Sequence, residues 1–537
     1  MRFTIAGMVF LSTMAAWGST TRVVTTLADS GAGSLRDAMS QANGSSGDTI
    51  NFAHGLAGTI LLQSPLPAVN ANMIINGPGA TALNINGQGL YGCLVVLEEL
   101  DLSGVTVENC NSATGAIYLE SGTLKLTNVD LKYNMSSGSG GALFNNLGFL
   151  FLTNVSLSLN SASVQGGALY NLYVATLTNV TFNGNSSPQG GAIANRGSLE
   201  MVSSTLEGNY SRSGAGGGAL YNAGDIQFDH SSFINNSSTQ GTEGGGAILN
   251  EGAITASNST FWLNNADNFG GAISNSGVLD ATYLTVANNS APGGSLFSSI
   301  STGDISIGRS ILAHGSSGPN CDGPVTSQGY NLSDDSSCNL VGTGDIQNMG
   351  ASLDPNGPQL NGGVTPTIAL LPESLAIDRI PLGPGCMGGD QRRVGRPQGP
   401  GCDIGAFELA GLDHFTAKLG LITGLLGRFS LTADFTLQSD QDALDPTISV
   451  STLRIGTYQA SLPAGSFRSI GTNTWAFARL VNGTGLAIQI QSLGGEKYQL
   501  TAQGAPANFF AVVSPTILSL TIGVYSGAIT VPFTPAI

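Results

Sequence analysis

Between Asn134 and Ser290 the acidic side chains are Glu200, Glu207, Asp225, Asp229, Glu243, Glu251, Asp267 and Asp280, set against two cations, Arg196 and Arg212. Glycoside hydrolysis needs two carboxyl groups at a fixed separation, and lyase chemistry needs a base together with a cation or metal that neutralises the uronate. Asp225 and Asp229 come nearest to such a pair. The carboxylates do not recur at matching positions of the repeats that surround them, which fits scattered, solvated charges. His230 has no Ser or Cys nucleophile signature beside it, and the preferred role for it is hydrogen bonding in place of an amide. The Asp390-Gln-Arg-Arg393 stretch with Asp403 and Glu408 is the densest charge group, read as an Arg–carboxylate network that holds a cap. No CxxC spacing, EF-hand loop or calcium nonapeptide occurs, so no metal, cofactor or catalytic residue is expected. Tyr170, Tyr210, Tyr221, Trp262 and Tyr283 are candidates for stacking on sugars, with burial in a core as the preferred alternative.

The elements that carry these residues are set by a repeated phrase. GGALFN ends at Asn145, GGALYN at Asn171, GGAIAN at Asn195, GGALYN at Asn222, GGAILN at Asn250 and GGAISN at Asn275, at intervals of 26, 24, 27, 28 and 25 residues. A second mark precedes each phrase: LKYN at Asn134, LSLN at Asn160, FNGN at Asn185, LEGN at Asn209, FINN at Asn236 and FWLN at Asn264. Such periods belong to stacked coils. Gly-Gly admits a sharp corner, the following Ala and Leu or Ile point inward, and runs such as Thr123–Leu131 alternate with the period of a half-buried strand. A parallel β-helix results. Within it, one column of equivalent positions reads Asn128, Asn154, Asn179, Ser203, His230, Asn258 and Tyr283. It is expected to carry an amide ladder, the alternative being ordinary turn asparagines.

The termini and composition bound the setting. Residues 1–18 hold Arg2, an apolar stretch Ile5–Ala16 and small residues before Ser19, the pattern of a secretory signal cut after Gly18. The stretch is short for a bilayer span, and no later segment approaches one, so the mature chain is expected to have no transmembrane span. Removal of the leader leaves 34 acidic and 17 basic side chains, a balance that excludes nucleic acid as a partner. The six cysteines of an exported chain pair most simply as Cys93–Cys110, Cys321–Cys338 and Cys386–Cys402, although fifteen pairings are possible. Ahead of the repeats, Leu35, Ala38, Met39 and Ala42 share one helical face, expected to close the open end of the core. Beyond Ser290 the strict repeats fade. Residues 313–408 are rich in Gly, Pro, Asn and Asp, and alternating runs from about Leu412 onward read as an antiparallel β-sandwich.

Three stretches resemble known families. The GGA[IL]xN phrases and FxxN marks resemble the repeats of bacterial polymorphic outer membrane proteins, surface β-helices that include adhesins. Gly33-Ser-Leu-Arg-Asp-Ala38 with Ala42-Asn43 looks like the CSLREA motif of secreted bacterial proteins, with Gly33 where that motif has cysteine. Leu360–Pro372, Ala376-Ile-Asp378, Asp390-Gln-Arg392, Arg396-Pro397 and Cys402–Glu408 are similar to the choice-of-anchor Q domain. The resemblance implies an exported, right-handed β-helix of the pectin-lyase-like kind and transfers no catalytic residues. The final 125 or so residues and the terminus Thr534–Ile537, which lacks an aromatic, are not expected to form a membrane barrel.

The expected organisation is therefore a signal at 1–18, a cap and first coils at 19–100, β-helix repeats at 101–312, a disulfide-stapled cap at 313–410 and a β-sandwich at 411–537. The expected function is adhesion or interaction at the cell surface or in the extracellular space, without catalysis, toward a ligand of which glycans are one candidate. The alternative is a polysaccharide-active enzyme or glycan-binding module, because one fold serves both.

Overall fold

The computed structural model describes residues 19–535 except 241–242, 300–302, 314–316, 372, 423–426, 438–443, 450, 508–515 and 523–524. The expected leader, residues 1–18, lies outside the described residues. The chain is all-β apart from a single helix among the described residues, Leu35–Ala42. About 12 turns of parallel β-solenoid are followed by antiparallel sheets.

The coils stack into three parallel sheets, and the first coils contribute to the broad sheet alone. A broad sheet of 23 strands takes two strands per coil, such as Thr123–Thr127 and Asp130–Lys132. A ten-stranded sheet takes the Leu-x-Asn tail of the repeated phrase, such as Leu143–Asn145, and a seven-stranded sheet takes short pieces such as Met135–Ser136. The register is in step from coil to coil. Leu124 pairs with Leu150, Leu150 with Ala175 and Ala175 with Leu199, so like side chains stack into the interior. Farther along, Phe233 and Phe261 stack at 4.6 Å between ring centroids. Alternation puts every second side chain of a strand in this core, and burial of each large one stabilises by about 1.5–3 kcal/mol.

The solenoid starts close to the first described residue. Thr21–Val24 pairs in parallel with Asp48–Phe52, and the last rungs are Thr326–Gly329 and Leu332–Ser333. The helix has Ser34 as its N-cap, whose side chain accepts from the Asp37 amide. Its buried side chains, Leu35, Ala38, Met39 and Ala42, belong to the same apolar core as the coils.

The described residues of 334–409 form no long strand, only isolated bridges such as Leu353–Leu370 and Ile380–Cys402. They lie along the flank of the later coils. Gln391, 1% exposed, accepts from Thr260 and donates to Ser232, while Arg393 donates to Ser203 and the Ala406 amide to Thr285. An irregular backbone can be buried only where its polar groups find partners, and these hydroxyls supply them.

From Ala410 onward most strand pairings are antiparallel, for example Gly427–Leu437 against Lys497–Ala507 and Thr474–Val481 against Thr484–Gly494, while Ala410–Ile422 also pairs in parallel with Tyr525–Val531 and Phe533–Pro535. Their apolar side chains share a core of their own, including Phe435, Ile455, Ile488 and Leu518. Gly427–Leu437, Ser451–Ile455, Tyr458–Leu462, Thr474–Val481, Thr484–Gly494 and Lys497–Ala507 are strands in the stretch from about Leu412 whose alternation predicts β-structure.

Candidate interaction surface

The expected column of asparagines sits where the backbone bends between the two strands of the broad sheet. Asn128, Asn154, Asn179, Ser203, His230, Asn258 and Tyr283 all have φ between 40° and 56°. Among non-glycine residues Asn enters this left-handed region most readily, which accounts for the start of the column. Asn154 donates to Asn128 at 3.2 Å and Asn179 to Asn154 at 2.8 Å. The run then breaks at Ser203 and His230, and Asn258 donates instead to Asp229 at 3.1 Å.

Two further columns, both buried, are built from the asparagines that end the two sequence marks. Asn134, Asn160, Asn185, Asn209, Asn236, Asn264 and Asn289 are each at most 1% exposed. Asn185, for instance, donates its side chain to Asn209 at 2.9 Å and to the Leu157 carbonyl at 2.9 Å, while its backbone amide bonds the same Asn209 oxygen. The other column runs Asn145, Asn171, Asn195, Asn222, Asn250 and Asn275, with amide-to-amide bonds of 2.6–2.9 Å. The coils between Asn134 and Asn275 are thereby clamped to one another on two sides. The invariable Asn at the end of each mark was the signal for these ladders.

The candidate acid–base groups are separated by the strand that carries them. Asp225 and Asp229 end the strand Asp225–Asp229, four residues and so about 13 Å apart along it, beyond the span used by carboxylate pairs in glycosidases. Asp229 is engaged by the His230 ring at 2.6 Å, the Ser257 hydroxyl at 2.7 Å and Asn258. Burial pushes its carboxyl up, but these partners together outweigh it and hold the group below the ordinary carboxylate range. The His230 carbonyl accepts from Thr365, so this corner serves the docking of the flanking segment.

Glu251 and Glu243, expected to be isolated, share one environment. The Tyr221 hydroxyl donates to Glu251 at 2.6 Å, and Arg196 lies 5.3 Å from the Tyr221 ring centroid. Burial, reinforced by Glu251, pushes the Tyr221 phenol up to about 12, and burial and then Glu251 raise the Glu243 carboxyl.

In the flanking segment Arg392 pairs with Asp390 at 2.6 Å and Arg396 with Glu408 at 2.7 Å, all four side chains at most 1% exposed. Burial, and next the charge of Glu408, holds Asp403 well above the usual carboxylate range. Arg396 also lies 4.1 Å from the ring centroid of Tyr283 on the solenoid, tying the network to the coils. Buried ion pairs of this kind fix one arrangement more than they add net stability.

The three disulfides are Cys93–Cys110, Cys321–Cys338 and Cys386–Cys402, with Cα–Cα distances of 5.7, 4.9 and 5.5 Å. The first two lie in the solenoid core and the third in the core of the flanking segment. Of the candidate aromatics, Tyr221 and Tyr283 are buried, Tyr170 and Trp262 are half-buried, and Tyr210 is exposed with Arg212 over its ring. More exposed rings went unremarked in the sequence: Phe149, Phe151 and Tyr173, at 45%, 40% and 40%. The signal was present in FLFL, whose alternation leaves both phenylalanines outside once its leucines are inside.

Among the described residues no group of three or more His, Cys, Asp and Glu is placed to hold a metal, and no helix is long and apolar enough to cross a membrane. The repeat profile described as Chlamydia polymorphic membrane protein repeat matches residues 179–196 and 230–251. Each matched piece runs from the bend position at Asn179 or His230 through the buried Asn185 or Asn236 and the Gly-Gly corner to the end of the ten-stranded-sheet strand. The profile thus covers most of one unit of the solenoid and stops before the next strand of the broad sheet. Comparison with curated proteins gave no match.

Proposed function

We propose that this chain is an exported, non-catalytic β-helix protein of the cell surface or extracellular space, acting by adhesion or interaction. The observation that carries the reading is the match of parts of two coils to the polymorphic membrane protein repeat, within a solenoid whose repeats stack coil on coil in parallel. Two buried amide ladders make that solenoid a stiff rod suited to presenting a side face over a long distance. In this reading the leader at 1–18 directs export and the coils wind right-handed, as parallel crossovers do. The helix Leu35–Ala42 closes the first coils, the stretch 313–410 is a choice-of-anchor Q-type element, and residues 411–537 form a sandwich that attaches or presents the rod. The wide spacing of Asp225 and Asp229 disfavours the polysaccharide-active alternative.

The test uses the full secreted chain, labelled and offered to host cells, extracellular matrix and purified glycans, with polygalacturonate turnover followed in parallel. Saturable binding without release of unsaturated or reducing ends is expected. Turnover abolished by Asp229→Asn, or absence of binding to every surface, would overturn the reading.

A further inference from the structure

Three consecutive coils carry an aromatic surface on both sides of the turn Asn146–Gly148. On the ten-stranded sheet, Tyr118, Phe144 and Tyr170 occupy one register position and meet edge to face, at 5.3 and 4.9 Å between centroids. Across the turn, on the broad sheet, Phe149 meets Tyr173 edge to face at 5.4 Å, and Phe151 is the next outward residue of the same strand. Leu147, 63% exposed, joins the two groups at the turn. Successive rings are one coil apart, about 5 Å, along the solenoid axis.

We propose that this corner is the binding face for a neutral polysaccharide laid along the solenoid axis; the inference rests on the interaction reading above and names its ligand class. Aromatic rings have negative faces and positive edges, and the polarised C–H faces of pyranose rings stack on such faces. The hydroxyl rim of a sugar needs polar neighbours, and the broad sheet supplies threonines around the rings. Thr123 pairs with Phe149 and Thr176 with Phe151, while Thr127, Thr153 and Thr178 form the next outward column.

Charge selects against the other occupants. From Glu99 to Thr178 the only cations are Lys125 and Lys132, tied to Glu99 at 2.6 Å and Glu108 at 3.4 Å, and Asp101, Glu120 and Asp130 add to the negative side. An acidic polysaccharide or an anionic lipid surface meets repulsion here, and a membrane would also have to desolvate the interleaved threonines and Glu120. A neutral glycan has neither difficulty.

The experiment is affinity electrophoresis of the full chain through gels containing hydroxyethylcellulose, galactomannan, soluble starch or polygalacturonate, with the two exposed-ring variants Phe149→Ser and Tyr173→Ser. Both side chains project to solvent, so the fold is retained, which the melting temperature checks. At least one neutral polymer is expected to retard the wild type, with affinity reduced about tenfold or more in each variant. Tyr133→Ser, at an exposed site on a different corner, should be retarded like the wild type. Failure of every neutral polymer, equal retardation by polygalacturonate, or retention by both variants would overturn the proposal. Cell binding that persists in the wild type without any glycan retardation would overturn the ligand class while leaving the interaction reading standing. If that binding is lost in Phe149→Ser, the corner docks a protein.

Discussion

At the scale of single residues, the buried asparagines do more for this chain than its charged groups. Asn209 accepts from the Asn185 backbone and side chain, and donates to the Phe182 carbonyl and to Asn236. Replacing it with alanine removes the acceptor of the buried Asn185 amide and side-chain N–H and the donor to the Phe182 carbonyl, and each buried group left unpaired costs about 1–3 kcal/mol. Asn209→Ala is therefore expected to destabilise the solenoid by at least about 3 kcal/mol. Asn154→Gly, in the exposed column where φ is 53°, should cost well under about 1 kcal/mol, because glycine accepts that backbone freely. Denaturant midpoints of the two variants make the comparison, and similar losses would contradict the assignment of the load to the buried column. The contrast also shows what the sequence displayed. Asn and Gly recur because left-handed corners and close-packed turns require them, so the period and strand order were legible from spelling alone. Which asparagines lie inside was not, since Asn128 and Asn134 are the same letter six residues apart and only the turn between them decides their facing. Phe149 was opaque for a related reason: an aromatic in an alternating run reads as core until the register is known.

At the scale of elements, the start of the solenoid is held by a polar knot as well as by its apolar face. Asp48 is fully buried and accepts from the Thr20 amide, the Ser45 hydroxyl and Arg22, which also reaches Gln41 at the end of the helix. Burial pushes the Asp48 carboxyl up, but the hydrogen bonds and the Arg22 charge win and place it below its ordinary 3.8. A carboxyl lowered in this way contributes stability that is present above the ordinary value and is lost as pH falls through the folded one. Asp48→Asn is expected to cost about 2 kcal/mol near neutrality, and the gap to the wild type should close below pH 3.8. Melting curves between pH 7 and 2 test this, and a gap that stays constant would remove the knot from the stability of the first coils. The segment 334–409 was less readable as an element. Its Arg–carboxylate cluster stood out in the sequence, but a Gly- and Pro-rich run has no period to give its direction. Its place on the flank is set by scattered contacts such as Gln391 with Thr260 and Thr365 with His230, between residues more than a hundred positions apart.

At the scale of the whole molecule, the apolar interior is divided. The solenoid core runs from Val24 to Leu340 through stacked coils, whereas the core of the antiparallel strands runs from Leu419 to Val531 and shares no residue with it. Cooperative unfolding follows shared burial, so two transitions are expected in calorimetry or denaturant rather than one. The disulfides identify which is which. All three bridges lie between Cys93 and Cys402, and none reaches the antiparallel strands. Each closes a loop of 16 or 17 residues, worth roughly 3 kcal/mol in the chain-entropy picture. Reduction should therefore lower one transition and leave the other in place, and the unmoved one should coincide with the melting of an isolated 410–537 fragment if that fragment folds. A single transition, or an equal shift of both on reduction, would show that the rod and the terminal strands fold as one unit. Two independent transitions would leave the terminal strands free to serve as a separately folded attachment or display module for a rod whose proposed ligand face lies among its middle coils.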